Sequence, residues 1–307
     1  MKLIKNIVCT AAMTISVTAF GQQDTNRAFF KQAMNLVNPA FAGSQNAFVD
    51  SQRSNLGNKS EIGIDFRSQW AGVEGAPETQ SVFFSSNMGK NVGLGVSVVN
   101  DRTFIENQTS IAVDFSYKLK LDDYNYVYLG IKAGATSYNA NLAGLTTFGF
   151  GSDPSLNNIN GGFNPTVGAG ALLKGAHYFV SLSTPNFITS ERLEDNDGTA
   201  RLGQSRPHFY FAGGYDFSLG GSMTLRAAGI ARYVEATPLS MEFNTLLDFN
   251  NKIQLGPTYR IGEGIGGLFI FNAAGWIDLG YGYEVASNSP VASQSMGTHE
   301  IFMKLKM

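Results

Sequence analysis

The stretch QTSIAVDFSYKLKL, residues 108–121, decides the architecture. Ile111, Val113, Phe115, Tyr117, Leu119 and Leu121 recur at every second position, and Ala112, Asp114, Ser116, Lys118 and Lys120 fill the positions between. Successive side chains of an extended backbone lie on opposite faces, so a period of two marks a strand with one apolar and one polar face. Its length is that of a tilted strand crossing a bilayer, longer than most strands in globular proteins. Residues 125–138 repeat the pattern, with Val127, Leu129, Ile131, Ala133 and Ala135 on one face and Tyr126, Tyr128 and Lys132 on the other.

Extending this reading along the chain gives strands at 60–68, 78–87, 91–100, 108–121, 125–138, 166–174 and 176–184. The remainder fall at 207–218, 222–234, 239–249, 252–261, 264–272, 275–285 and 298–307. About fourteen strands, an even number, predict an all-β fold: a transmembrane antiparallel β-barrel over residues 60–307. The connections sort by length. On one side lie 69–77, 101–107, 139–165, 185–206, 235–238, 262–263 and 286–297, most of them long and rich in Gly, Asn and Ser. On the other lie the tight turns 88–90, 122–124, 175, 219–221, 250–251 and 273–274. Outer-membrane barrels sort their loops in this way, long outside and short in the periplasm.

The polar faces carry Asp65, Arg67, Asp114, Lys118, Lys132, Arg226, Arg232, Glu242, Asp248, Arg260, Asp278 and Glu284. A lipid-facing Lys or Arg costs about 2–4 kcal/mol at the bilayer midplane, so these residues must face the lumen. Both signs are interspersed, which favours a paired network or a plugged lumen over a strongly ion-selective pore. The last strand turns Ile301, Met303, Leu305 and Met307 outward, suiting an insertion signal. Composition agrees: 35 Gly, 23 Phe and 12 Tyr accompany a mean hydropathy of only −0.06, as expected when apolar and polar faces alternate.

Ahead of the barrel, Lys2 and Lys5, the apolar residues 7–17 and the ending Ala19-Phe20-Gly21 predict a signal peptide over residues 1–21, cleaved before Gln22. The stretch is too short and too rich in Thr and Ser to serve as a membrane-spanning helix. Cys9 lies within it, so residues 22–307 contain no cysteine and no disulfide, thiol nucleophile or Cys-based metal site. Without Lys2 and Lys5 the balance is 20 basic against 24 acidic residues, which disfavours nucleic acid as a partner. No later apolar run is long enough for a membrane helix. Residues 22–59 lack the strand pattern; Phe29, Phe30, Met34 and Val37 suggest one short amphipathic turn before Asn38-Pro39. The segment reads equally as a periplasmic lead-in and as a lumen plug.

No catalytic, cofactor or metal set can be assembled. His177, His208 and His299 lie far apart, near strand starts, without triad or ligand spacing. Gly262, Gly264 and Gly267 match GxGxxG, but the strand-like run 268–272 follows where a phosphate-binding fingerprint needs a helix. That string reads as a glycine-rich hairpin. Asp122 and Asp123 mark a tight turn, and the sequons at Asn58 and Asn107 carry no weight in a bacterial chain.

Several segments resemble the PorP/SprF family of outer-membrane proteins of the Bacteroidetes type IX secretion system. Asn38-Pro39-Ala40-Phe41-Ala42-Gly43 is close to the family's NPAYAG. The most specific element is Arg67-Ser68-Gln69-Trp70-Ala71-Gly72 followed by Gly75-Ala76-Pro77-Glu78-Thr79-Gln80. Asn91-Val92-Gly93-Leu94-Gly95 through Asn100-Asp101, Ser183-Thr184-Pro185-Asn186, Leu255-Gly256-Pro257-Thr258-Tyr259-Arg260 and Thr298-His299-Glu300-Ile301 extend the likeness over the mature chain. The family usually has Ser at the position of Thr298 and an aromatic at the end, where this chain has Met307.

The resemblance implies a noncatalytic barrel in type IX secretion, and in gliding motility among relatives. It also implies partners: a secreted substrate or adhesin C-terminal sorting domain, and lipoprotein or other periplasmic components of the machinery. The barrel wall itself would meet outer-membrane lipid. As candidate contacts we take Arg67, Gln69, Trp70, Gly75, Pro77 and Gln80, with Arg67 and Gln69 at the lumen mouth and Gln80 meeting them from the next strand. Trp70 suits the membrane–water interface. That string reads equally as a loop folded inward to close the barrel. Phe148, Phe150, Phe163 and Phe187 load the long loops with aromatics, which anchor interfaces well but would also pack into a lumen. A passive diffusion porin is the competing function; an outer-membrane hydrolase has no residue set behind it.

Overall fold

A computed structural model describes residues 26–44, 60–141, 159–188, 190–191, 204–287 and 293–307. The strands are β1 (Ser60–Ser68), β2 (Glu78–Gly89), β3 (Val92–Thr103), β4 (Glu106–Lys120), β5 (Tyr126–Ala140), β6 (Ile159–Lys174) and β7 (Tyr178–Thr184). After the short pair β8 (Ser190–Glu191) and β9 (Gln204–Ser205) come β10 (His208–Gly220), β11 (Met223–Val234), β12 (Ser240–Phe249), β13 (Ile253–Arg260), β14 (Gly264–Asn272), β15 (Ile277–Ala286) and β16 (Thr298–Lys306). Fourteen of them close an antiparallel barrel in chain order, with β10 beside β7 and β16 beside β1; β8 and β9 pair separately. Closure removes every free edge of the wall, which is what lets a sheet stand in hydrocarbon.

The expected alternation holds in β4. Ile111, Val113, Phe115, Tyr117 and Leu119 are exposed on the outer wall, while Ala112, Asp114 and Ser116 are buried within. Phe66, Val98, Leu129, Ile131, Phe211, Phe269 and Tyr281 continue the outer apolar surface on other strands. No described helix is long and apolar enough to cross a membrane; the strands do so instead.

Two connections differ from the sequence reading. The expected loop 101–107 is a tight turn at Phe104-Ile105, because β3 and β4 keep pairing through Asn100↔Thr109, Asp101↔Gln108, Arg102↔Asn107 and Thr103↔Glu106. These residues lack apolar alternation, yet the ladder is made by backbone groups and continues without it. Similarly, β6 begins at Ile159, within the expected loop 139–165, and pairs with β5 as far as Ala140. The other connections keep their sides, so one end of the barrel carries the long loops and the other the short turns. At the turn end Asp122 caps its own turn, accepting from Tyr124 N at 2.8 Å and Asn125 N at 2.8 Å. The hydrogen bond from the Asn125 side chain, with those backbone donors, holds its carboxyl below the usual range.

Residues 26–44 lie inside the barrel as two 3-10 helices, Phe30–Leu36 and Pro39–Phe41. Phe29, Ala28 and Ala40 have no exposure. Phe29 stacks on Phe302 with ring centroids 5.5 Å apart, and Phe41 meets Phe179 edge-on at 5.9 Å. Inward-facing Phe83, Leu172, Leu246, Leu268 and Ile270 complete two apolar clusters around the segment. These side chains would be costly against water; the segment is what dries them.

Candidate functional site

The lumen contacts start from Asn38. Its side chain accepts from Ala40 N at 2.9 Å, capping the turn that Pro39 begins, and donates to Ala171 O at 3.3 Å. The turn lies so close to the wall that side chains are excluded there. A Cβ on Gly130 would sit 2.3 Å from Ala40 N, and one on Gly170 2.0 Å from Asn38 Oδ1. The segment then leaves through Ala42 O, which accepts from Ser116 Oγ at 2.5 Å, and Gly43 N, which donates to Ser85 Oγ at 2.8 Å.

At the other end of the segment, Glu300 accepts from Ala28 N and Phe29 N, both at 2.9 Å, and from Arg67 Nη1 at 2.6 Å. Arg67 also pairs with Glu284 through Nη2. Glu284 in turn faces Arg260 at 3.4 Å, and Arg260 reaches Glu242 at 2.8 Å. Arg67, Glu300, Glu284, Arg260 and Glu242 thus form one paired network, where interspersed signs suggested a paired network or a plugged lumen. A second group gathers Arg226 with Asp216 at 3.2 Å and Asp248 at 2.9 Å, and a third pairs Lys132 with Asp114 at 2.8 Å.

Lys31 belongs to the lumen segment and approaches Asp216 at 3.6 Å.

The loop end is a platform of three connections. Ala71 N donates to Gly297 O at 2.7 Å, and Met296 N returns a bond to Ala71 O at 2.8 Å. Phe104 N, at the β3–β4 tip, donates to Gly75 O at 2.9 Å. Gly75 has φ +73°, and a Cβ there would lie 2.8 Å from the Phe104 ring, so glycine serves both the turn and the contact. Gln69 N donates to Pro77 O at 2.9 Å, and Trp70, half-buried with φ +51°, donates its N–H to Thr298 Oγ1 at 3.3 Å. A cavity of about 230 Å³ opens beside this platform, lined by Ser68, Gly72, Glu78, Arg102 and Phe104 among others.

The string at 67–80 is thus divided between two places. Arg67 is 2% exposed and braces the lumen segment, whereas Gln69, Trp70, Gly75 and Pro77 build the platform. The expected meeting of Gln80 with Arg67 and Gln69 does not occur. The register pairs Arg67 with Thr79 and Phe66 with Gln80, which turns Gln80 to the outer wall. Phe163 stands on β6 rather than in a loop, exposed on the outward face that Val167 continues. Phe187 is also exposed, and its N–H donates to Val167 O at 2.7 Å, so both aromatics belong to one sector of the rim. Phe148 and Phe150 lie outside the described residues. No group of metal-ligating side chains occurs among the described residues.

A family model described as type IX secretion system membrane protein PorP/SprF matches residues 19–305. The chain belongs to the PorP/SprF family. No curated protein matches it in sequence. Among solved structures, this PorP/SprF barrel is similar to the outer membrane protein Omp33 of Acinetobacter baumannii, at 13% identity and TM-score 0.49, over 81% of this chain and 98% of that one. It is also similar to a FadL homologue of Pseudomonas aeruginosa, at 12% identity and TM-score 0.48, over 93% and 99% of the two chains.

Within this PorP/SprF chain the quoted motifs belong to or hold the lumen segment, at its two ends. Asn38–Gly43 fills the lumen, Arg67 comes from the string after it, and Glu300 from the closing Thr298-His299-Glu300-Ile301. Glu300 and Phe302 received no role from sequence reasoning, although parity with Ile301 and Met303 puts both inward. An aromatic facing a lumen is itself the missed signal, because it calls for an apolar filling.

Proposed function

We propose that this barrel is a noncatalytic anchor of type IX secretion, exported by a cleaved signal peptide and inserted in the outer membrane with its loop end outside. There it binds a secreted protein or adhesin through the C-terminal sorting domain, in gliding cells as part of the motility apparatus. Secretion components, including lipoproteins, would meet it on the turn end. The observation that carries this reading over a diffusion porin is the occupied lumen. Residues 26–44 are held by the Glu300 network, by Asn38 and by two apolar clusters, so what remains to act is the rim. The hydrogen-bonded platform of 69–77, 103–106 and 293–297 supplies a rigid base, and Phe163 and Phe187 supply apolar anchors beside it.

Affinity purification from native membranes in mild detergent, followed by mass spectrometry, tests the proposal. A large secreted protein with a C-terminal sorting domain should copurify. Phe163→Ser with Phe187→Ser should cut its recovery about tenfold or more, the loss of two anchor side chains at roughly 1 kcal/mol or more each. Barrel assembly should be unchanged. A clean monomer that conducts ions after reconstitution would replace the anchor with the porin.

A further inference from the structure

The direction in which residues 26–44 run through the barrel has a topological meaning. Asn26 donates its side-chain N–H to Glu263 at 3.3 Å, and Glu263 lies in the β13–β14 turn at the loop end. Arg27 approaches Asp65 at 3.8 Å, and Ala28 and Phe29 bind Glu300, three residues into β16 from the same end. Lys31 is then beside Asp216, well toward the other end of β10. At the far end of the segment, Ser44 O accepts from Lys174 Nζ at 2.7 Å, and Lys174 is the last residue of β6 before a short turn. Ser60, where β1 begins, is also at the turn end, with its N–H on Met307 O. The segment therefore descends from the loop end to the turn end. A lead-in rising from the periplasm would run the opposite way.

We infer that the chain enters the lumen from the loop face: Asn26, held by Glu263 in the β13–β14 turn, is part of the surface that the platform and rim aromatics present to a secreted partner. With the loop end outside, as proposed above, Asn26 is at the cell surface. The lumen segment then ties Asn26 to the outer rim rather than closing the pore from below.

Residues 22–307 contain no cysteine, which makes the test direct. Three single variants of the full chain are expressed in native cells: Asn26→Cys, Met296→Cys on the loop-end platform and Tyr124→Cys in a turn. Met296 is 66% and Tyr124 74% exposed. Intact cells are treated with a maleimide–polyethylene glycol too large to cross the outer membrane, with wild-type protein as background and denatured samples as full-labelling controls. Labelling of Asn26→Cys together with Met296→Cys, and of Tyr124→Cys only after lysis, is the expected result. Protection of Asn26→Cys along with Tyr124→Cys would overturn the inference and leave the outward loops standing. Labelling of Tyr124→Cys alone would reverse the barrel's orientation, while the shared protection of the other two would still place Asn26 at the loop end. An epitope inserted before Asn26, read by antibody on intact cells, repeats the measurement without depending on the reactivity of one half-buried site; absence of binding there would count equally against the inference.

Discussion

Glu300→Ala is expected to destabilise the barrel by about 3–5 kcal/mol, the usual cost of removing one partner from a buried ion pair. The carboxylate is 1% exposed and serves three donors from two parts of the chain: Ala28 N and Phe29 N in the lumen segment, and Arg67 Nη1 on β1. Its loss leaves two backbone N–H groups dry and reduces Arg67 to a single carboxylate partner, Glu284. Glu300→Gln keeps an acceptor of the same size without the charge and should fall between wild type and Ala. Heat modifiability on unboiled gels measures the effect, because folded barrels migrate ahead of unfolded ones. A double variant with Arg67→Met should cost less than the sum of its parts, since the two residues share one interaction. A wild-type transition for Glu300→Ala would mean that the apolar clusters alone hold the segment.

Gly130→Val should have the second large effect, and of a different kind. The nearest atoms to an added Cβ are Ala40 N at 2.3 Å and Pro39 C at 2.4 Å, both backbone, so no flexible side chain can yield. Overpacking typically costs about 1–3 kcal/mol even where neighbours can shift. Here the cheaper response is for the turn at 39–41 to leave the wall, taking Phe41 from its place against Phe179. The variant should conduct ions in planar bilayers where wild-type protein does not. Gly267→Val is the control, because a Cβ there meets nothing within 4 Å. A sealed Gly130→Val barrel would show that the segment can shift within the lumen without opening it.

The wall was legible because lipid enforces it. Every outward position of β4 from Ile111 to Leu119 is apolar, so the pattern survives in sequence without noise there. Legibility stopped where that enforcement stops. Asn100, Asp101 and Arg102 rise beyond the apolar band, and their strand pairing is invisible to a hydropathy period. Gln80 was misplaced because a motif was read as one unit, although a one-residue step turns its side chain to the other face. The inward charges were read as a paired network or a plugged lumen; several of them pair, since a buried charge needs a partner. The segment threading them was not resolved into plug or lead-in. The inward aromatics Phe83, Phe179 and Phe302 held the answer, having no stable place in a wet channel. The platform needed the hairpin tip and the 293–297 connection to be known together, which no local pattern supplies.

One further consequence follows from the residue that joins Arg67 to Ala28 and Phe29. Glu300 is on the final strand, Arg67 on the first, and the two backbone donors precede both in the chain. The carboxylate at the β1–β16 seam is therefore fully partnered only when residues 28 and 29 already occupy the interior. Sealing the cylinder and loading it are thereby coupled, because an empty cylinder would leave the buried Glu300 short of two of its donors. Order of synthesis favours the arrangement: what must be enclosed is made first, and the strand that encloses it is made last.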